Sequence, residues 1–183
     1  DGPTHQPVES LTILRSIPNL LVLRPCDTTE VSGSYQIALK HDGPSALIFS
    51  RQTLPNIETS NMNNMKYGAY IIYESEEPLD KIIIATGSEV SLAIDVAKEL
   101  KNIRVVSMPC CELYDLQDKD YKQKILPNEI DKISLEAGVT MGWYKYANYV
   151  YGIDTYGESG KLQDIKEHFR FQKEDIIKFI TKI

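Results

Sequence analysis

The amino-acid sequence predicts an α/β protein: a partial α/β domain, followed by a three-layer α/β/α domain with a mostly parallel sheet. Short apolar runs alternate with segments of helical period along most of the 183 residues. A stretch rich in Asn, Ser and Thr at residues 52–66 interrupts this alternation and is expected to be a linker or an exposed crossing segment. We therefore predict a first, incomplete domain at 1–58, a linker at 59–66 and a second domain at 67–183.

The first domain begins with the loop DGPTHQP at residues 1–7. Pro3 and Pro7 each restrict φ and lack a backbone N–H, so this segment is neither a helix interior nor a central strand. The apolar run 20–23 then predicts a strand, and the run 46–49 predicts another. Between them, apolar residues at helical intervals predict a helix at about 28–40.

The second domain has the pattern of a parallel sheet with crossover helices. Its second and third apolar runs, with the helical period between them, predict a βαβ unit with parallel strands. The predicted strands are 68–73, 81–86, 103–108 and 132–137, and the predicted helices are 90–100, 118–125, 143–149, 162–169 and 173–182.

Composition and charge exclude several classes of protein. The formal net charge is −6 and no basic stripe is present, which argues against nucleic-acid binding. No apolar run approaches the roughly 20 residues that cross a membrane. The three cysteines, Cys26, Cys110 and Cys111, are an odd and scattered set without metal-ligand spacing, so we interpret them as reduced thiols of a cytoplasmic protein.

Three residues are candidates for chemistry. Asp1 and His5 share the opening loop, and Arg51 follows the apolar run 46–49, where ligands usually bind in open α/β sheets. Histidine titrates near neutrality, and a guanidinium fits phosphate oxygens bidentately. Spacing alone leaves the alternatives open: a structural turn with a solvated carboxylate, and a surface arginine.

Two other features favour structural interpretations. The segment ATGSEV at 85–90 places a glycine turn before a helix, as phosphate-binding loops do, but it has one glycine and a negative charge at Glu89. Ser88 is better interpreted as an N-cap. Cys110 and Cys111 precede acidic residues rather than basic ones, so we predict that they pack in the core or an interface instead of reacting.

Separated sequence blocks carry a family resemblance. DGPTHQPVE (1–9), SRQTLP (50–55), ATGSEVSLA (85–93), RVVSMPC (104–110) and GIDTYGESG (152–160) occur in an order and at spacings that span nearly the whole chain. In these blocks the chain resembles transketolases. The resemblance places residues 1–58 at the end of a pyrimidine-binding domain and 67–183 in the C-terminal domain, so that the chain is expected to be the C-terminal portion of a longer enzyme.

The resemblance implies a reaction and roles for individual residues. Transketolases move a two-carbon ketol group from a ketose phosphate to an aldose phosphate with thiamine diphosphate and Mg²⁺ or Ca²⁺, usually as homodimers. Asp1 then resembles the aspartate that binds a sugar hydroxyl, His5 the histidine at the reacting oxygens, and Arg51 the arginine that holds the sugar phosphate. The residues that hold cofactor and metal would lie upstream, so we expect the isolated chain to be inactive.

Alternatives to a transketolase portion remain at this stage. Dihydroxyacetone synthase resembles the same opening loop, and other thiamine-diphosphate enzymes have a shorter Gly-Pro-Thr-His version of it. A second class is a non-catalytic α/β module for interaction or dimerisation, in which the loop is only structural.

Overall fold

A computed structural model describes residues 2–76 and 78–183 of the chain. It confirms the predicted α/β class with a mostly parallel sheet. The α-helices are α1 Ser10–Arg15, α2 Thr28–Lys40, α3 Glu89–Leu100, α4 Cys111–Asp115, α5 Lys119–Ile125, α6 Leu162–His168 and α7 Lys173–Ile180. The strands are β1 Leu21–Leu23, β2 Ser45–Leu47, β3 Tyr70–Tyr73, β4 Lys81–Ala85, β5 Ile103–Ser107, β6 Asp131–Leu135 and β7 Tyr149–Tyr151. Short 3-10 helices lie at Pro3–His5, Met62–Tyr67 and Thr140–Lys145.

The larger sheet has five strands in the order β3-β5-β4-β6-β7. Strand β3 is antiparallel to β5, and the other three pairings are parallel. Strands β4 and β5 are adjacent and parallel with helix α3 between them, which confirms the predicted βαβ unit. Parallel strands need such a crossover because the end of the first strand and the start of the second lie at opposite ends of the sheet.

Both faces of this sheet are covered, which produces three layers. On β4, Ile83 and Ala85 lie in an apolar core that includes residues of α3 and α7. The alternating residues Ile82 and Ile84 face the other way, into a core with Tyr114 and residues of α5. Strand side chains alternate between faces, so a run of consecutive apolar residues is what a doubly covered strand requires.

A smaller sheet precedes this domain. Strands β1 and β2 are parallel, and Leu21 and Leu23 are buried beside Cys110. The N-terminus of α2 confirms its predicted start, because the Asp27 side chain accepts a hydrogen bond from the Glu30 backbone N–H at 2.9 Å. A cap of this kind satisfies one of the donors that the first helical turn leaves unpaired.

The region around the aromatic segment differs from the prediction. The expected helix at 143–149 is wrong: a 3-10 helix ends at Lys145, and Tyr149–Tyr151 forms the edge strand β7, paired with β6. Aromatic residues at near-helical spacing resembled a helix face, but the pairing with β6 decides the strand. Trp143 is a core residue, whereas Tyr144 is exposed. Helix α1 was also not predicted, because its one and a half turns are too short for a clear period.

The segment predicted as an exposed linker contains an ordered turn. Residues Met62–Tyr67 form a 3-10 helix, and the side chain of its N-cap residue, Asn61, accepts a hydrogen bond from the Asn63 N–H. The side chain of Met65 is fully buried in the main apolar core, so the expectation of an exposed segment is wrong at that residue. Among the described residues, no helix is long and apolar enough to cross a membrane.

Candidate functional site

The opening loop folds into a single turn that presents His5. Backbone hydrogen bonds join His5 N to Gly2 O and Gln6 N to Pro3 O, each at 3.0 Å. The His5 ring is exposed, and its Nδ1 lies 3.2 Å from Thr4 Oγ1. Asp1, the other predicted substrate residue of this loop, lies outside the described residues. An exposed imidazole in a short rigid turn is available to a ligand and is held in place by its backbone.

Arg51 lies beyond the carboxyl end of β2, as predicted. Its side chain is exposed, and the hydrogen bonds and ion pairs described for the chain leave its guanidinium without an internal partner. Such an arginine is free to bind an anion from solution. The described contacts do not join His5 to Arg51, so the two remain separate parts of a candidate site.

The loop that carries His5 rests on the second domain. The Val8 carbonyl accepts a hydrogen bond from Val139 N at 3.0 Å, and the Val8 side chain packs against the main core. The backbone of Gln6 lies directly against the buried Gly157. The second domain therefore determines where this loop sits.

Helix α1, directly after the loop, is held by a buried ion pair. Arg15 donates two hydrogen bonds to Glu136, from Nη1 to Oε2 at 2.7 Å and from Nη2 to Oε1 at 3.0 Å. The Trp143 indole N–H donates to the same Oε2 at 2.7 Å, and the Arg15 guanidinium lies over the Trp143 ring. A bidentate pair of this kind fixes geometry as well as supplying energy.

A second arginine, Arg24, joins the same network. Its Nη1 donates to Glu89 Oε2 at 2.6 Å and to the Thr86 carbonyl at 2.5 Å, and lies 3.4 Å from Glu136 Oε1. Its guanidinium covers the turn at Gly87, where a Cβ would come within 2.8 Å of it. The φ of +56° at Gly87 also favours glycine.

This arrangement corrects the predicted role of Ser88. The Ser88 side chain makes no capping bond to helix α3. It donates instead to Glu89 Oε1 at 2.6 Å and accepts from Arg24 Nη2 at 3.1 Å. The turn that resembled a phosphate loop is occupied by the protein's own Arg24 guanidinium, which binds Thr86, Ser88 and Glu89.

The charge of Glu136 is stabilised by its partners. Burial by itself opposes ionisation of this carboxyl, but Arg15 and Arg24 outweigh it and hold the pKa of Glu136 below its usual range. The carboxylate is therefore charged at neutral pH, between two cations that the first 24 residues supply.

A second buried carboxylate also joins the two parts of the chain, but here the first part supplies the carboxylate and the second part supplies two of the donors. Glu30, from α2, accepts hydrogen bonds from Tyr70 Oη at 2.8 Å, Ser107 Oγ at 2.6 Å and Cys26 N at 2.8 Å. It has no cationic partner among its described contacts, and burial raises the pKa of Glu30 despite the donors around it. Its environment is thus opposite to that of Glu136.

Two cavities in the described part of the chain are lined by residues other than His5 and Arg51. One of about 690 Å³ is lined by lysines at the end of the sheet where β6 begins. Its ammonium groups are largely engaged, since Lys145 pairs with Asp115, Lys122 donates to the Asp115 carbonyl and Lys132 to the Ile130 carbonyl. A groove of about 450 Å³ runs between residues 52–55 and helices α3 and α6, and it begins one residue beyond Arg51.

The cysteines and potential metal ligands offer no further site among the described residues. Cys26, Cys110 and Cys111 are free and buried, which confirms the predicted packing role. Burial is the main cause that raises the pKa of the Cys111 thiol, to about 12, so Cys111 is not a thiolate at neutral pH. In residues 2–76 and 78–183, no group of three His, Cys, Asp or Glu side chains is placed to hold a metal ion.

Sequence reasoning missed the residues that connect the two parts. Arg24 and Glu136 directly follow the buried strands β1 and β6, and Arg51 lies a few residues beyond the end of β2, yet only Arg51 was singled out. A charged residue immediately after an apolar run was the available signal. It indicates a strand end, but it does not tell which charges will meet.

Two protein families match the chain in sequence. Residues 1–56 match the family described as transketolase, pyrimidine-binding domain. Residues 68–172 match the transketolase-like C-terminal domain family. The two matches cover most of the chain. The gap between them, at residues 57–67, lies in the segment that separates the two sheets.

Individual relatives agree with these matches. The chain is 41% identical to a probable transketolase of Streptococcus pneumoniae, over its whole length and 29% of that protein. It is similar to the solved transketolase of Leishmania mexicana, with 42% identity, a TM-score of 0.92 and coverage of 98% of this chain and 27% of that one. A Pichia stipitis transketolase, solved in complex with sedoheptulose 7-phosphate, is 38% identical with a TM-score of 0.95, over all of this chain and 28% of its own. The chain thus spans less than a third of each of these three relatives.

Proposed function

The chain belongs to the transketolase family, and on that premise we propose that it supplies the substrate contacts for transfer of a two-carbon ketol group from a ketose phosphate to an aldose phosphate. The observation that carries the proposal is the exposed turn Pro3–His5, held against the C-terminal domain, in a chain that matches both family domains. The sugar phosphate bound to the Pichia stipitis relative supports the substrate class.

Each proposed residue has a chemical role that suits its surroundings. His5 is exposed in a rigid turn, so its imidazole can hold or move a proton at the reacting oxygens of a bound sugar. Arg51 is exposed and has no internal partner among the described residues, and its guanidinium can clamp the phosphate of the substrate. Asp1, by its place in the DGPTHQP motif, would accept a hydrogen bond from a sugar hydroxyl.

The match to a pyrimidine-binding domain implies thiamine diphosphate as the cofactor. When bound, thiamine diphosphate supplies the means to stabilise a carbanion at the transferred carbon. The described residues offer no trio of side chains suited to a metal ion, so we assign neither the diphosphate nor its Mg²⁺ or Ca²⁺ to residues of this chain. The contribution of this chain lies in binding and orienting the sugar.

We further propose the division at 1–58, 59–66 and 67–183, a homodimer and a cytoplasmic location. The division is supported by the two family matches, which end at residue 56 and resume at residue 68. The dimer and location rest on family resemblance, and the three free thiols suit a reducing compartment.

An assay on the full-length protein tests the proposed function. With thiamine diphosphate, Mg²⁺, a ketose phosphate and an aldose phosphate, it should form the ketol-transfer product, and His5→Ala should lower kcat by about a hundredfold or more. The control is Leu39→Ala, at an exposed residue of α2 far along the chain from the loop. Absence of transfer by the wild-type protein, or an unchanged kcat for His5→Ala, would overturn the proposal.

A further inference from the structure

The segment 152–160, GIDTYGESG, is conspicuous in the sequence but has no role in the function proposed above. It lies in the C-terminal domain, between β7 and α6, and holds three of the ten glycines of the chain. One of these, Gly157, is buried, although both of its neighbours are exposed. Burial of a glycine in an exposed segment indicates that another backbone lies against it.

That backbone belongs to the loop that carries His5. A Cβ built on Gly157 would lie 1.9 Å from the carbonyl oxygen of Gln6, and 3.0 Å from its carbonyl carbon. Both atoms are main-chain atoms, so a rotamer change cannot relieve the overlap. Any side chain at position 157 must displace either the loop or the segment 152–160.

The segment is the better anchored of the two. Ile153 N donates to the Gly138 carbonyl at 2.8 Å, and Asp154 accepts from both the backbone N–H and the hydroxyl of Thr140, at 2.8 and 2.7 Å. The loop, in contrast, is exposed from Thr4 to Pro7, and among the described residues its first backbone hydrogen bond to the second domain is the one from Val139 N to Val8 O. The overlap would therefore be relieved by movement of residues 2–7.

We propose that Gly157 is a positioning residue for His5: its lack of a side chain lets the C-terminal domain seat the His5 loop at one defined place. The inference rests on the proposed role of His5 in ketol transfer. Gly157 itself touches no reacting atom. It acts through the backbone of Gln6, the residue that follows His5.

The variant Gly157→Ala in the full-length enzyme tests this positioning. The φ of Gly157 lies outside the left-handed region, so alanine adds no backbone strain at this position. The overlap with Gln6 is relieved by movement of the loop, whose residues 4–7 are exposed, so the Tm should change little. Displacement of a catalytic group by about 1 Å can cost about a hundredfold, so kcat should fall roughly ten- to a hundredfold. The KM for a phosphorylated donor should change little, because Arg51 is on a different part of the chain.

The matched control is Gly160→Ala, three residues further along the same segment. A Cβ there would meet the Ile165 side chain, with Cδ1 at 3.5 Å and Cγ1 at 3.7 Å, and both are ordinary contacts. This variant should keep wild-type kcat, KM and Tm. Equal kinetic effects of the two substitutions would overturn the proposal, and so would a loss of kcat in Gly157→Ala that merely follows a lower Tm.

A second measurement separates this inference from the proposed function. Amide hydrogen exchange of residues 2–9, followed by mass spectrometry on the full-length protein, should be faster in Gly157→Ala than in Gly160→Ala and the wild type. If the wild-type protein shows no ketol transfer, the proposed function fails, while this comparison still reports whether Gly157 seats the loop. Exchange identical in all three proteins contradicts the inference whatever the activity.

Discussion

At the scale of single residues, charge has two distinct uses in this chain. Arg15, Arg24 and Glu136 form a buried network in which every charge has an opposite partner. Arg51 has no opposite partner among the described residues, and it is exposed. Buried charges need partners because desolvation is costly, whereas an exposed, unpaired guanidinium can exchange water for a ligand anion at little cost. The first set holds the structure together, and the second is available for binding.

We expect Arg51→Ala in the full-length enzyme to weaken kcat/KM for phosphorylated sugars by about ten- to a hundredfold. A charge-assisted hydrogen bond contributes roughly 1.5–3 kcal/mol, and about 1.4 kcal/mol corresponds to a factor of ten. Much of the loss should appear in KM, since the phosphate is remote from the bond that breaks. Steady-state kinetics with a phosphorylated and a non-phosphorylated donor, such as hydroxypyruvate, measure this difference.

The non-phosphorylated donor is the internal control for Arg51→Ala. It lacks the group that Arg51 would hold, so its kinetics should barely change. Equal losses with both donors would show that Arg51 supports the fold or the cofactor rather than the phosphate.

The substitution Glu136→Gln should destabilise the 183-residue chain by about 3–5 kcal/mol at pH 7, because it leaves two buried arginines short of an anion. The pKa of Glu136 in the folded state lies below the ordinary value of 4.5, so its charge stabilises the fold above that pH. As the pH falls from 4.5 through the folded-state pKa, this contribution is lost. Urea unfolding of both proteins at pH 7 and at about pH 3.5 should show the difference between them narrowing.

A matched control for Glu136→Gln is Glu74→Gln. Glu74 pairs with Arg104 at 2.9 Å, but its side chain is 43% exposed. Water and salt screen such a pair, so its loss should cost less than about 1 kcal/mol. A difference between Glu136→Gln and the wild type that stays constant across the pH range would contradict the assignment of a buried, charged carboxylate.

At the scale of elements, the ends of helices connect the two parts of the chain. The carboxylate of Asp27 begins helix α2 by accepting from Glu30 N at 2.9 Å, and its other oxygen accepts from Ile57 N at 3.0 Å. The same cap therefore starts a helix and fastens the segment that leads to the second domain. Three residues further along α2, Glu30 accepts hydrogen bonds from Tyr70 and Ser107 on the larger sheet.

Asp27→Ala should lower the free energy of unfolding by about 1–2 kcal/mol, near the upper end for an N-cap, because two backbone donors lose their acceptor. The comparison is Asp118→Ala at the start of α5. Asp118 also accepts from a backbone N–H, that of Tyr121 at 2.7 Å, but its other oxygen has no described second role. Chemical denaturation of both variants measures the difference, and an equal or larger effect of Asp118→Ala would contradict the double role of Asp27.

At the scale of the whole molecule, the two parts share an interface built from both sides. The first part provides Arg15 and Arg24 to Glu136 and Glu89, and the second provides Tyr70 and Ser107 to Glu30. Apolar contacts add to this, since Val8 and Met65 pack against the core of the larger sheet. The second part of the chain therefore supports the loop on which His5 lies, through the contacts of Val139 with Val8 and of Gly157 with Gln6.

The 183-residue chain by itself should neither bind thiamine diphosphate tightly nor catalyse transfer. It spans 29% of the Streptococcus pneumoniae relative, and the described residues include no trio of side chains suited to the metal. Calorimetric titration with thiamine diphosphate and Mg²⁺ should give no micromolar binding, with the full-length protein as the positive control. Micromolar binding of thiamine diphosphate by the 183-residue chain would show that residues of this chain do hold the cofactor.

Local patterns were sufficient for most elements and for the family. The capped helix α2, the βαβ unit from β4 to β5 and the candidates His5 and Arg51 all follow from neighbours within a few residues or from short motifs. The roles of His5 and Arg51 remain predictions. Such features are recognisable in sequence because helix period, strand alternation and caps depend on residues close together in the chain.

Only the tertiary structure decided the contacts between distant residues. Strand β7 exists because β6 lies beside it, and Arg15 meets Glu136 across a separation of 121 residues. Gly157 lies against Gln6 for the same reason. The residues next to each partner in the sequence do not predict these long-range contacts, because the contacts depend on how complete elements pack together. The position of the His5 loop is thus a property of the folded chain, although His5 itself could be identified from the sequence.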